Sequence, residues 1–403
     1  MDIPGLPPIL LSKLAAAAAD SRVALVGGAV RDLLLHRVHN DPWRGLPDLD
    51  LVVEGRASAF VQRLVEVLPA SAMRAAREHG AFGTVELELV IAGQPVLLDV
   101  ASARAETYPA PADNPRVTLG CLTDDLRRRD FSINAMAVDL ASGQLLDPHG
   151  GQVDLQRRCL RLLHGGSIRD DPTRLVRGAR YAARLGFGLA AESEAQVRST
   201  LAAWPWSWRP GDPPGDAPAA LGTRLRMEME LLLEREPWRE ALAALQQWGG
   251  MVLLDPSLQS DRQWRRRLLW AARFGVPPMV ALAAGASDPL ALAERLQLPH
   301  RQHRLLARWQ ALRGVMPQRA DALSVPGWCA LLEGHSHGPE AVALALASGA
   351  GPRRPLLRWL LRWRQLHSPV SAHTLINRGL RPGPALGEEL RRLRAERLEQ
   401  ERL

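Results

Sequence analysis

The chain has 403 residues, of which 46% are hydrophobic, 23% are charged and 5% are aromatic. This composition is typical of globular proteins and excludes the disordered, collagen-like and disulfide-rich classes. The formal net charge of +8 is unevenly distributed along the chain. Residues 1–155 contain 14 basic and 20 acidic side chains, whereas the rest of the chain contains 37 and 23.

This charge asymmetry is typical of a catalytic module joined to a module that binds a polyanion such as nucleic acid. Compositional bias explains part of it, because the chain has 50 arginines but only one lysine. Charge alone therefore leaves nucleic-acid binding and compositional bias as two open interpretations.

The sequence contains no apolar run near the ~18 residues that a membrane-spanning helix needs. Asp2 lies where a signal peptide has positive charge, and Lys13 interrupts the apolar stretch near the N-terminus. We therefore expect a soluble, cytoplasmic protein without a membrane partner. The three cysteines show no CxxC spacing, which argues against a disulfide framework and a structural zinc site. Nothing in the sequence indicates the oligomeric state.

Up to about residue 155, short runs of β-branched residues alternate with helical stretches, and glycines and prolines punctuate them. This pattern predicts a small α/β domain. The predicted strands are Val23–Val26, Leu49–Val53, Thr84–Ile91 and Val96–Val100, and the predicted helices are Ala29–Leu35 and Ala57–Leu68.

Beyond residue 155 apolar residues recur at helical spacing without a convincing strand pattern, which predicts an all-helical region. The Pro/Gly-rich segment 209–222 predicts a surface insertion. The arginine-rich stretch 353–366 fits a core-facing amphipathic helix better than a helix on a membrane surface. The predicted helices are Arg174–Leu185, Leu225–Leu233, Trp238–Trp248, Arg262–Phe274, Arg301–Leu312, Leu356–Leu366 and Leu386–Leu398.

Two glycines follow the first predicted strand at the start of a helix, in VALVGGAVRDLLL. This turn lets the backbone amides of Gly27 and Gly28 approach an anion, with Arg31 one turn into the helix. The alternative, from this turn alone, is that the glycines serve only the turn geometry. Asp48 and Asp50 lie two residues apart on the next strand, so their carboxylates project to one face. Two neighbouring carboxylates on a buried strand repel each other unless a cation lies between them, which favours Mg²⁺ binding over a turn rich in Asp.

Five motifs occur in order along the chain: GGAVRD, DLD, RRRDFSINAMAVD, LLDPHGGQVDLQRRCLR and DDPTRLVRGARYAARLGF. In this order they resemble the motifs of the class II tRNA nucleotidyltransferases, the family of CCA-adding enzymes and bacterial poly(A) polymerases. The resemblance runs continuously over residues 23–187 and continues more loosely through residues 230–238. It returns in residues 374–396, which look like the tail of the family.

The resemblance implies an α/β fold followed by an all-α region. A polymerase-β-like nucleotidyltransferase head with a mixed sheet and helices is expected in residues 1–155. A helical neck that recognises the nucleotide base would follow in residues 156–235. A helical body and tail that bind tRNA, or another RNA 3′ end, would form residues 236–403.

The resemblance also assigns catalytic roles. Asp48 and Asp50 match the carboxylates that hold Mg²⁺ between the triphosphate and the attacking 3′-hydroxyl. Asp99, on the strand Val96–Val100, matches a third catalytic carboxylate. The alternative is that Asp99 is a surface residue of this strand without a catalytic role. Gly28 and Arg31 match positions that contact the triphosphate.

Several polar residues around these positions receive supporting roles. We expect Asp32 to orient Arg31 and Asn134 to brace the head, with a substrate contact by Asn134 as the alternative. Arg129 matches an arginine that contacts the nucleotide, and a guanidinium can fork onto phosphate or sugar oxygens. The role of the neighbouring Arg127 is ambiguous, because its side chain could simply be solvated.

The DDPTR motif predicts the start of a helix, with Asp170 as its N-cap and Pro172 in its first turn. One interpretation is a capped helix with a basic stripe. In the other, which the resemblance favours, Asp171 accepts from the exocyclic amino group of the incoming base while Arg174 donates to the neighbouring ring nitrogen. Cytosine and adenine both present an amino group beside a ring-nitrogen acceptor, whereas uracil and guanine present a carbonyl in place of the amino group. CTP and ATP are therefore the expected substrates. Further positions that match nucleotide contacts are Arg177 and Arg180.

These motifs predict a template-independent RNA nucleotidyltransferase that adds CCA, or part of it, to tRNA 3′ ends. The alternatives are a poly(A) polymerase and an enzyme that adds only A or only CC. The segment 104–125 has no obvious deletion, which disfavours CC-only addition. A non-catalytic RNA-binding protein is a remote alternative, because the paired carboxylates Asp48 and Asp50 are intact.

Overall fold

The computed structural model describes residues 2–46, 48–79, 83–334 and 337–402. The chain forms two compact units, the first from Met1–Trp208 and Pro218–Gly250, the second from Arg209–Ala217 and Met251–Leu403. The predicted domain boundaries at 155/156 and 235/236 both lie inside the first unit, and the division into head, neck, body and tail stays a prediction.

The described part of the first unit contains the strands β1 (Val23–Val26), β2 (Leu49–Val53), β3 (Met73–His79), β4 (Thr84–Ile91), β5 (Gln94–Ser102), β6 (Arg104–Thr107), β7 (Arg116–Leu119), β8 (Ala137–Asp139), β9 (Leu145–Leu146), β10 (Cys159–Leu160) and β11 (Gly188–Leu189). Seven of them form a mixed sheet with the strand order β3-β4-β5-β2-β1-β8-β9, while β6 pairs with β7 and β10 with β11 in two-stranded sheets. Within the seven-stranded sheet, β2 and β5 pair in parallel and the other neighbours are antiparallel.

The burial of these strands follows their sequence pattern. All four residues of β1 are buried because the strand lies between β2 and β8 in the sheet. Strand β4 alternates half-buried with buried residues, so only one of its faces packs on the core. The four predicted strands are confirmed, whereas the short pairs β6–β7 and β10–β11 have too few residues for a periodic signal.

Ten helices complete the described part of the first unit. The helix Ala57–Val67 buries Phe60, Val61 and Leu64, which follow the helical spacing predicted from the sequence. The helices are α1 (Pro8–Ala18), α2 (Gly28–His39), α3 (Ala57–Val67), α4 (Leu122–Arg127), α5 (Gly151–Gln156), α6 (Ser167–Asp170), α7 (Thr173–Leu185), α8 (Ala191–Ala203), α9 (Thr223–Arg235) and α10 (Trp238–Gln247).

The described part of the second unit is helical, as predicted. Three tryptophans with 1% exposure or less, Trp309, Trp328 and Trp363, lie in its core. Its helices are α11 (Pro256–Ser260), α12 (Trp264–Arg273), α13 (Pro278–Ala283), α14 (Pro289–Arg295), α15 (His300–Val315), α16 (Val325–Glu333), α17 (Gly338–Ser348), α18 (Arg353–Leu361), α19 (Ala372–Asn377) and α20 (Pro384–Glu399).

The arginine-rich helix α18 faces the protein core, as the sequence predicted. Leu356, Trp359 and Leu360 are buried on one side of it, and Leu361 is exposed. None of the helices within the described ranges combines the length and the apolar character required to cross a membrane.

The segment 209–222 is only partly a surface insertion. Ala220 and Leu221 are fully buried in a 3₁₀ turn, and the amide of Ala220 donates to the carbonyl of Ala112 in the first unit. The prediction of a surface loop was wrong for these two residues, because a Pro/Gly-rich composition does not show which of its few apolar side chains find a core.

Candidate active site

The turn between β1 and α2 has a backbone that only glycine adopts without strain. Gly27 has φ +70°, and a Cβ atom on it would lie 3.1 Å from Nη1 of Arg129 and 3.2 Å from Oδ2 of Asp50. The absence of a side chain therefore brings a carboxylate and a guanidinium against the backbone at the start of a 12-residue helix. Free amides at such a helix start favour a bound anion.

Three carboxylates lie close together beside this turn. Asp50 on β2 pairs in register with Asp99 on β5, so the two side chains share one face of the sheet. Asp48 is exposed just before β2, and its charge raises the pKa of both other carboxyls. The structure thus brings together the three carboxylates that the sequence singled out.

Burial is the main cause that raises the pKa of Asp50, to about 6. The charge of Arg129 opposes this shift, and the charges of Asp99 and Asp48 reinforce it. Burial also raises the pKa of Asp99, and the facing carboxylate of Glu86 on β4 adds to the effect. The positive charges of the protein therefore do not fully offset the cost of burying these two carboxylates.

A divalent cation bound here would offset the remaining cost of burying these carboxylates. In the part of the chain that the structure describes, no group of three or more His, Cys, Asp or Glu side chains could enclose a metal ion. Mg²⁺ needs no such cage, because it usually binds through one or two carboxylates together with water and substrate phosphates. Asp48 and Asp50 have the oxygen chemistry and the electrostatic setting for this mode of binding.

Two predicted phosphate-binding arginines are held in place by protein partners. Arg31 is buried and donates to Asp32 through Nε (2.9 Å) and to Oδ1 of Asn134 through Nη1 (2.8 Å). Arg129 donates to Asp125 through Nη2 at 2.9 Å. The orienting role of Asp32 and the bracing role of Asn134 agree with these contacts.

The DDPTR segment differs from its prediction in one respect. Asp170 ends α6 and accepts from Arg169, so it is not the N-cap of the following helix. Asp171 instead accepts from the amide (3.1 Å) and hydroxyl (2.6 Å) of Thr173 at the start of α7. The prediction of an Asp170 cap was wrong, because the chain forms a separate helical turn before Pro172.

Asp171 and Arg174 nevertheless keep hydrogen-bonding capacity for a base. Oδ1 of Asp171 is engaged by Thr173, whereas Oδ2 accepts from Arg224 on α9 and has a further lone pair. Nη2 of Arg174 donates to the carbonyl of Arg128 at 2.9 Å and Nη1 to Oγ of Ser167 at 2.9 Å. Both side chains are buried, so a base that reached them would be read without competing water.

Two further arginines of α7, Arg177 and Arg180, are ion-paired within the protein. Arg177 donates to Asp130 through Nε at 2.8 Å, and Arg180 donates to Glu228 and Glu236. Arg177 lines the cavity described below, whereas Arg180 is not among its lining residues. The nucleotide contact of Arg180 stays a prediction, and its ion pairs hold α7 to α9.

These elements surround one open cavity of about 930 Å³. It is large enough for a nucleoside triphosphate, since small-molecule sites typically measure ~300–1,000 Å³. The predicted residues among its lining are Gly27, Gly28, Arg31, Asp50, Asp99, Arg129, Asp171, Arg174 and Arg177.

Comparison with known proteins identifies the family. The family model of the poly A polymerase head domain matches residues 23–161. A CC-adding tRNA nucleotidyltransferase of Deinococcus radiodurans is 36% identical over 386 residues, which cover 94% of this chain and 85% of the relative. The chain belongs to the tRNA nucleotidyltransferase family. It is a nucleotidyltransferase, and enzymes of this family generally use a divalent metal ion.

Other relatives share parts of the sequence or the whole fold. An A-adding tRNA nucleotidyltransferase of Halalkalibacterium halodurans is 44% identical over 185 residues, which cover 44% of this chain and 40% of that protein. A structure of a CCA-adding enzyme in apo form superposes with a TM-score of 0.73 at 25% identity and covers 98% of this chain and 93% of that one. The Thermotoga maritima CCA-adding enzyme complexed with tRNA-CCA has a TM-score of 0.68 at 24% identity, with 100% and 94% coverage.

Several residues that line the cavity of this tRNA nucleotidyltransferase were missed by sequence reasoning. Arg224 binds Asp171, and Glu228, one turn later on α9, binds Arg177 and Arg180. Their spacing of four residues on a helix predicted from Leu225 was the available signal. Tyr108 also lines the cavity, and no sequence motif distinguishes it.

The Gly27→Ala variant should lose activity because the new methyl group would displace the side chains of Arg129 and Asp50. We expect kcat/KM for nucleotide addition to fall at least tenfold. Gly150→Ala is a control for a new side chain at positive φ, since Gly150 has φ +71° but no atom within 4 Å of its Cβ position. Gly150 lies in the left-handed helical region (ψ 30°), where alanine should cost about 1–2 kcal/mol of stability, whereas the ψ of −134° at Gly27 is adopted almost only by glycine and should cost more. Equal activity in the two variants would contradict the close-approach argument.

The ion pair of Asp130 predicts a pH-dependent stability. Burial alone would raise the pKa of Asp130, but Arg177, Asn134 and the amide of Phe131 outweigh it and lower the pKa to about 2. The stabilisation is thus fully present above pH ~4 and is lost as the pH falls through 2. We expect Asp130→Asn to destabilise the protein by about 2 kcal/mol at pH 7 and by about half as much at pH 3.

Urea unfolding at the two pH values measures this difference. Asp113→Asn is the control, because Asp113 is exposed and accepts only a local bond from the amide of Asn114. A destabilisation by Asp130→Asn that is the same at both pH values would contradict the assigned pKa.

Proposed function

We propose that this enzyme adds the CCA sequence, whole or in part, to tRNA 3′ ends from CTP and ATP with Mg²⁺ as its cofactor. The observation that carries the proposal is one cavity lined by Asp50 and Asp99, by the Gly27–Gly28 turn and by Asp171 and Arg174. Nucleotidyl transfer needs such a combination of carboxylates, phosphate donors and base-reading groups. Its place of action is proposed to be the cytoplasm.

In the proposed reaction the RNA 3′-hydroxyl oxygen attacks the α-phosphorus of the nucleotide. A new O–P bond forms, the bond to the bridging oxygen of the β-phosphate breaks, and pyrophosphate leaves. Asp48 and Asp50 would hold Mg²⁺, which when bound lowers the pKa of the attacking hydroxyl and stabilises the leaving pyrophosphate.

The protein groups around this centre would position the substrate. The amides at the start of α2 donate to phosphate oxygens, while Arg31 and Arg129 bring positive charge whose position Asp32 and Asp125 restrain. Because these arginines already bind protein partners, little side-chain ordering would be needed when the triphosphate binds.

Base selection would depend on α7. Oδ2 of Asp171 accepts the amino group of cytosine or adenine, and the free N–H groups of Arg174 donate to the adjacent ring nitrogen. Uracil or guanine would place a carbonyl against the Asp171 carboxylate, and a buried mismatch of this kind costs about 1–3 kcal/mol. A protein-borne template explains selection without a nucleic-acid template.

A second candidate is addition of CC alone. The relative that matches 94% of this chain is a CC-adding enzyme. Against it, the segment 104–125 has no obvious deletion and contains the ordered β6–β7 hairpin.

Sequencing the 3′ ends of three tRNAs, lacking CCA, CA or A, after incubation with CTP and ATP distinguishes the candidates. Full CCA on all three supports the proposal in its complete form. Products that stop at CC indicate the CC-adding enzyme, and extension only of the tRNA that ends in CC indicates an A-adding one. A long A tail would identify a poly(A) polymerase, and unextended tRNA would overturn the proposal.

A further inference from the structure

A four-residue turn shortly before the DDPTR segment places two polar side chains on one guanidinium. The turn consists of residues 164–167, with the sequence HGGS, and the amide of Ser167 donates to the carbonyl of His164 at 3.1 Å. Nη1 of Arg174 donates to Oγ of Ser167 at 2.9 Å and lies 3.4 Å from Nε2 of His164. We propose that His164, together with Ser167, positions the guanidinium of Arg174 for reading the base. Base reading by Arg174 is part of the proposed function, on which this inference rests.

The glycines of this turn explain how the two side chains come together. Gly166 has φ −93° and ψ 0°, the conformation of the third residue of a type I turn. A Cβ atom on Gly166 would lie 3.5 Å from Nδ1 of His164 and 3.2 Å from Oδ2 of Asp170. The carbonyl of His164 also accepts from Nε2 of Gln196 on α8 at 3.0 Å. Two hydrogen bonds therefore hold the backbone of His164, and its ring lies beside the space that a side chain at position 166 would fill.

The guanidinium of Arg174 carries five N–H donors, and three of them have protein partners. The two donors on Nη1 are directed at Ser167 and His164, and one donor on Nη2 reaches the carbonyl of Arg128 at 2.9 Å. Among the residues that the structure describes, the donor on Nε and the second donor on Nη2 remain for a base. Because partners on two nitrogens fix the plane of the group, the direction of the remaining donors is fixed as well.

His164 can accept from Arg174 only as a neutral ring. A guanidinium donates and never accepts, so Nε2 of His164 must accept, and the proton of the neutral ring lies on Nδ1. Burial and then the charge of Arg174 lower the pKa of His164 below 6.5; Asp170 opposes this shift, and Arg127 on α4 and Arg169 on α6 add to it. The ring is therefore neutral at pH 7. Protonation would remove the acceptor and place a positive charge against Arg174.

Positioning of Arg174 can be separated from a purely structural role of the turn. A structural defect would slow the addition of all nucleotides alike. A displaced Arg174 would instead penalise only those nucleotides that offer a ring-nitrogen acceptor. The analogue 3-deaza-CTP has a C–H group in place of this nitrogen, so it cannot accept from Arg174. The ratio of kcat/KM for CTP over 3-deaza-CTP therefore measures the Arg174 contact.

The test compares this ratio in the wild type, His164→Leu and His164→Gln. The wild type should prefer CTP about tenfold or more, because a lost hydrogen bond leaves a buried donor unpaired. His164→Leu removes one of the three partners of Arg174 and should reduce the preference at least about threefold, with Ser167→Ala acting in the same direction. His164→Gln should keep the preference within about twofold, because its amide oxygen can replace Nε2 as the acceptor.

His149→Leu is the matched control. His149 is half-buried like His164, and burial lowers its pKa as well. In the described part of the chain no hydrogen bond joins His149 to Arg174, so the ratio should stay at its wild-type value.

A pH profile of the ratio gives a second readout. In the wild type the preference for CTP should fall as the pH decreases through the pKa of His164, which lies below 6.5. His164→Gln does not titrate, so its ratio should stay constant with pH. Protonation of Asp50, which has a pKa of about 6, slows the addition of both nucleotides and cancels in the ratio.

The outcomes separate this inference from the proposed function. A wild-type enzyme that prefers CTP, together with a His164→Leu variant that keeps the full preference, would overturn the positioning role while base reading by Arg174 stands. Equal kcat/KM for the two nucleotides in the wild type would overturn base reading by Arg174, and the positioning role with it. If His164→Leu does not fold, His164→Asn replaces it, since the shorter amide ends near the position of Nδ1 and does not reach Arg174.

Discussion

Replacing Asp50 by Asn is expected to abolish nucleotide addition while the affinity for tRNA stays within a few-fold of the wild-type value. The substitution keeps the shape of the side chain but removes a charge beside Asp48 and Asp99. If these carboxylates hold the metal ion, kcat should fall by about 10³ or more, equivalent to about 4 kcal/mol in the barrier. Asp48→Ala and Asp50→Ala should behave in the same way.

The control is Glu88→Gln, which removes a carboxylate from the same face of the sheet, two residues from Glu86, outside the cavity lining. It should keep near wild-type activity. A readout besides activity is the binding of Mn²⁺ in the presence of CTP, measured by electron paramagnetic resonance. Mn²⁺ binding should weaken in Asp50→Asn and stay unchanged in the control Glu88→Gln. More than a few per cent of metal-dependent activity in both Asp48→Ala and Asp50→Ala would refute the assignment of these residues.

The sequence predicted well those features of the site that depend on local spacing. The Gly27 turn and the Asp48–Asp50 pair could be recognised because a strand has a two-residue period and a helix start needs few residues. Asp99 was a weaker prediction, since its partnership with Asp50 depends on the parallel pairing of β2 with β5, whose paired residues lie 49 positions apart in the sequence. Strand order of this kind is not encoded in any short stretch of sequence.

The arginines of α7 show where sequence reasoning stopped. Their spacing identified a common helix face, but not the acidic partners. Asp130 lies 47 residues before Arg177, and Glu228 on α9 lies about 50 residues after these arginines. The prediction that Arg180 contacts the nucleotide therefore did not include its ion pairs with Glu228 and Glu236. The same limit hid Arg224, whose role is apparent only beside Asp171.

These ion pairs connect base reading to the packing of α7 on α9. Asp171 accepts from Arg224, and the nearby Glu228 on the same helix binds Arg177 and Arg180 of α7. A shift of α9 would thus move the carboxylate that we propose as the base reader. Substitutions of Asp171 must therefore be compared with substitutions of a neighbouring residue that does not contact α9.

Asp171→Ala should relax the choice of base as well as slow transfer. The substitution removes the acceptor that favours an amino group, so the penalty against UTP relative to CTP should shrink. Because a buried donor–acceptor mismatch costs about 1–3 kcal/mol, the ratio of kcat/KM for CTP over UTP should fall by one to two orders of magnitude. Arg174→Ala should instead weaken CTP and ATP together, since both bases lose the same ring-nitrogen contact.

Asp170→Ala is the matched control, because Asp170 carries the same charge one residue earlier but binds only Arg169 among the described side chains. It should leave the CTP/UTP ratio unchanged. Asp171 also binds Thr173, so a purely structural role predicts slower transfer with the full wild-type ratio. Thr173→Val separates the two roles, because it removes the hydroxyl bond but not the carboxylate. Slower transfer with an intact CTP/UTP ratio in Thr173→Val, together with a reduced CTP/UTP ratio in Asp171→Ala, assigns base selection to the Asp171 carboxylate itself.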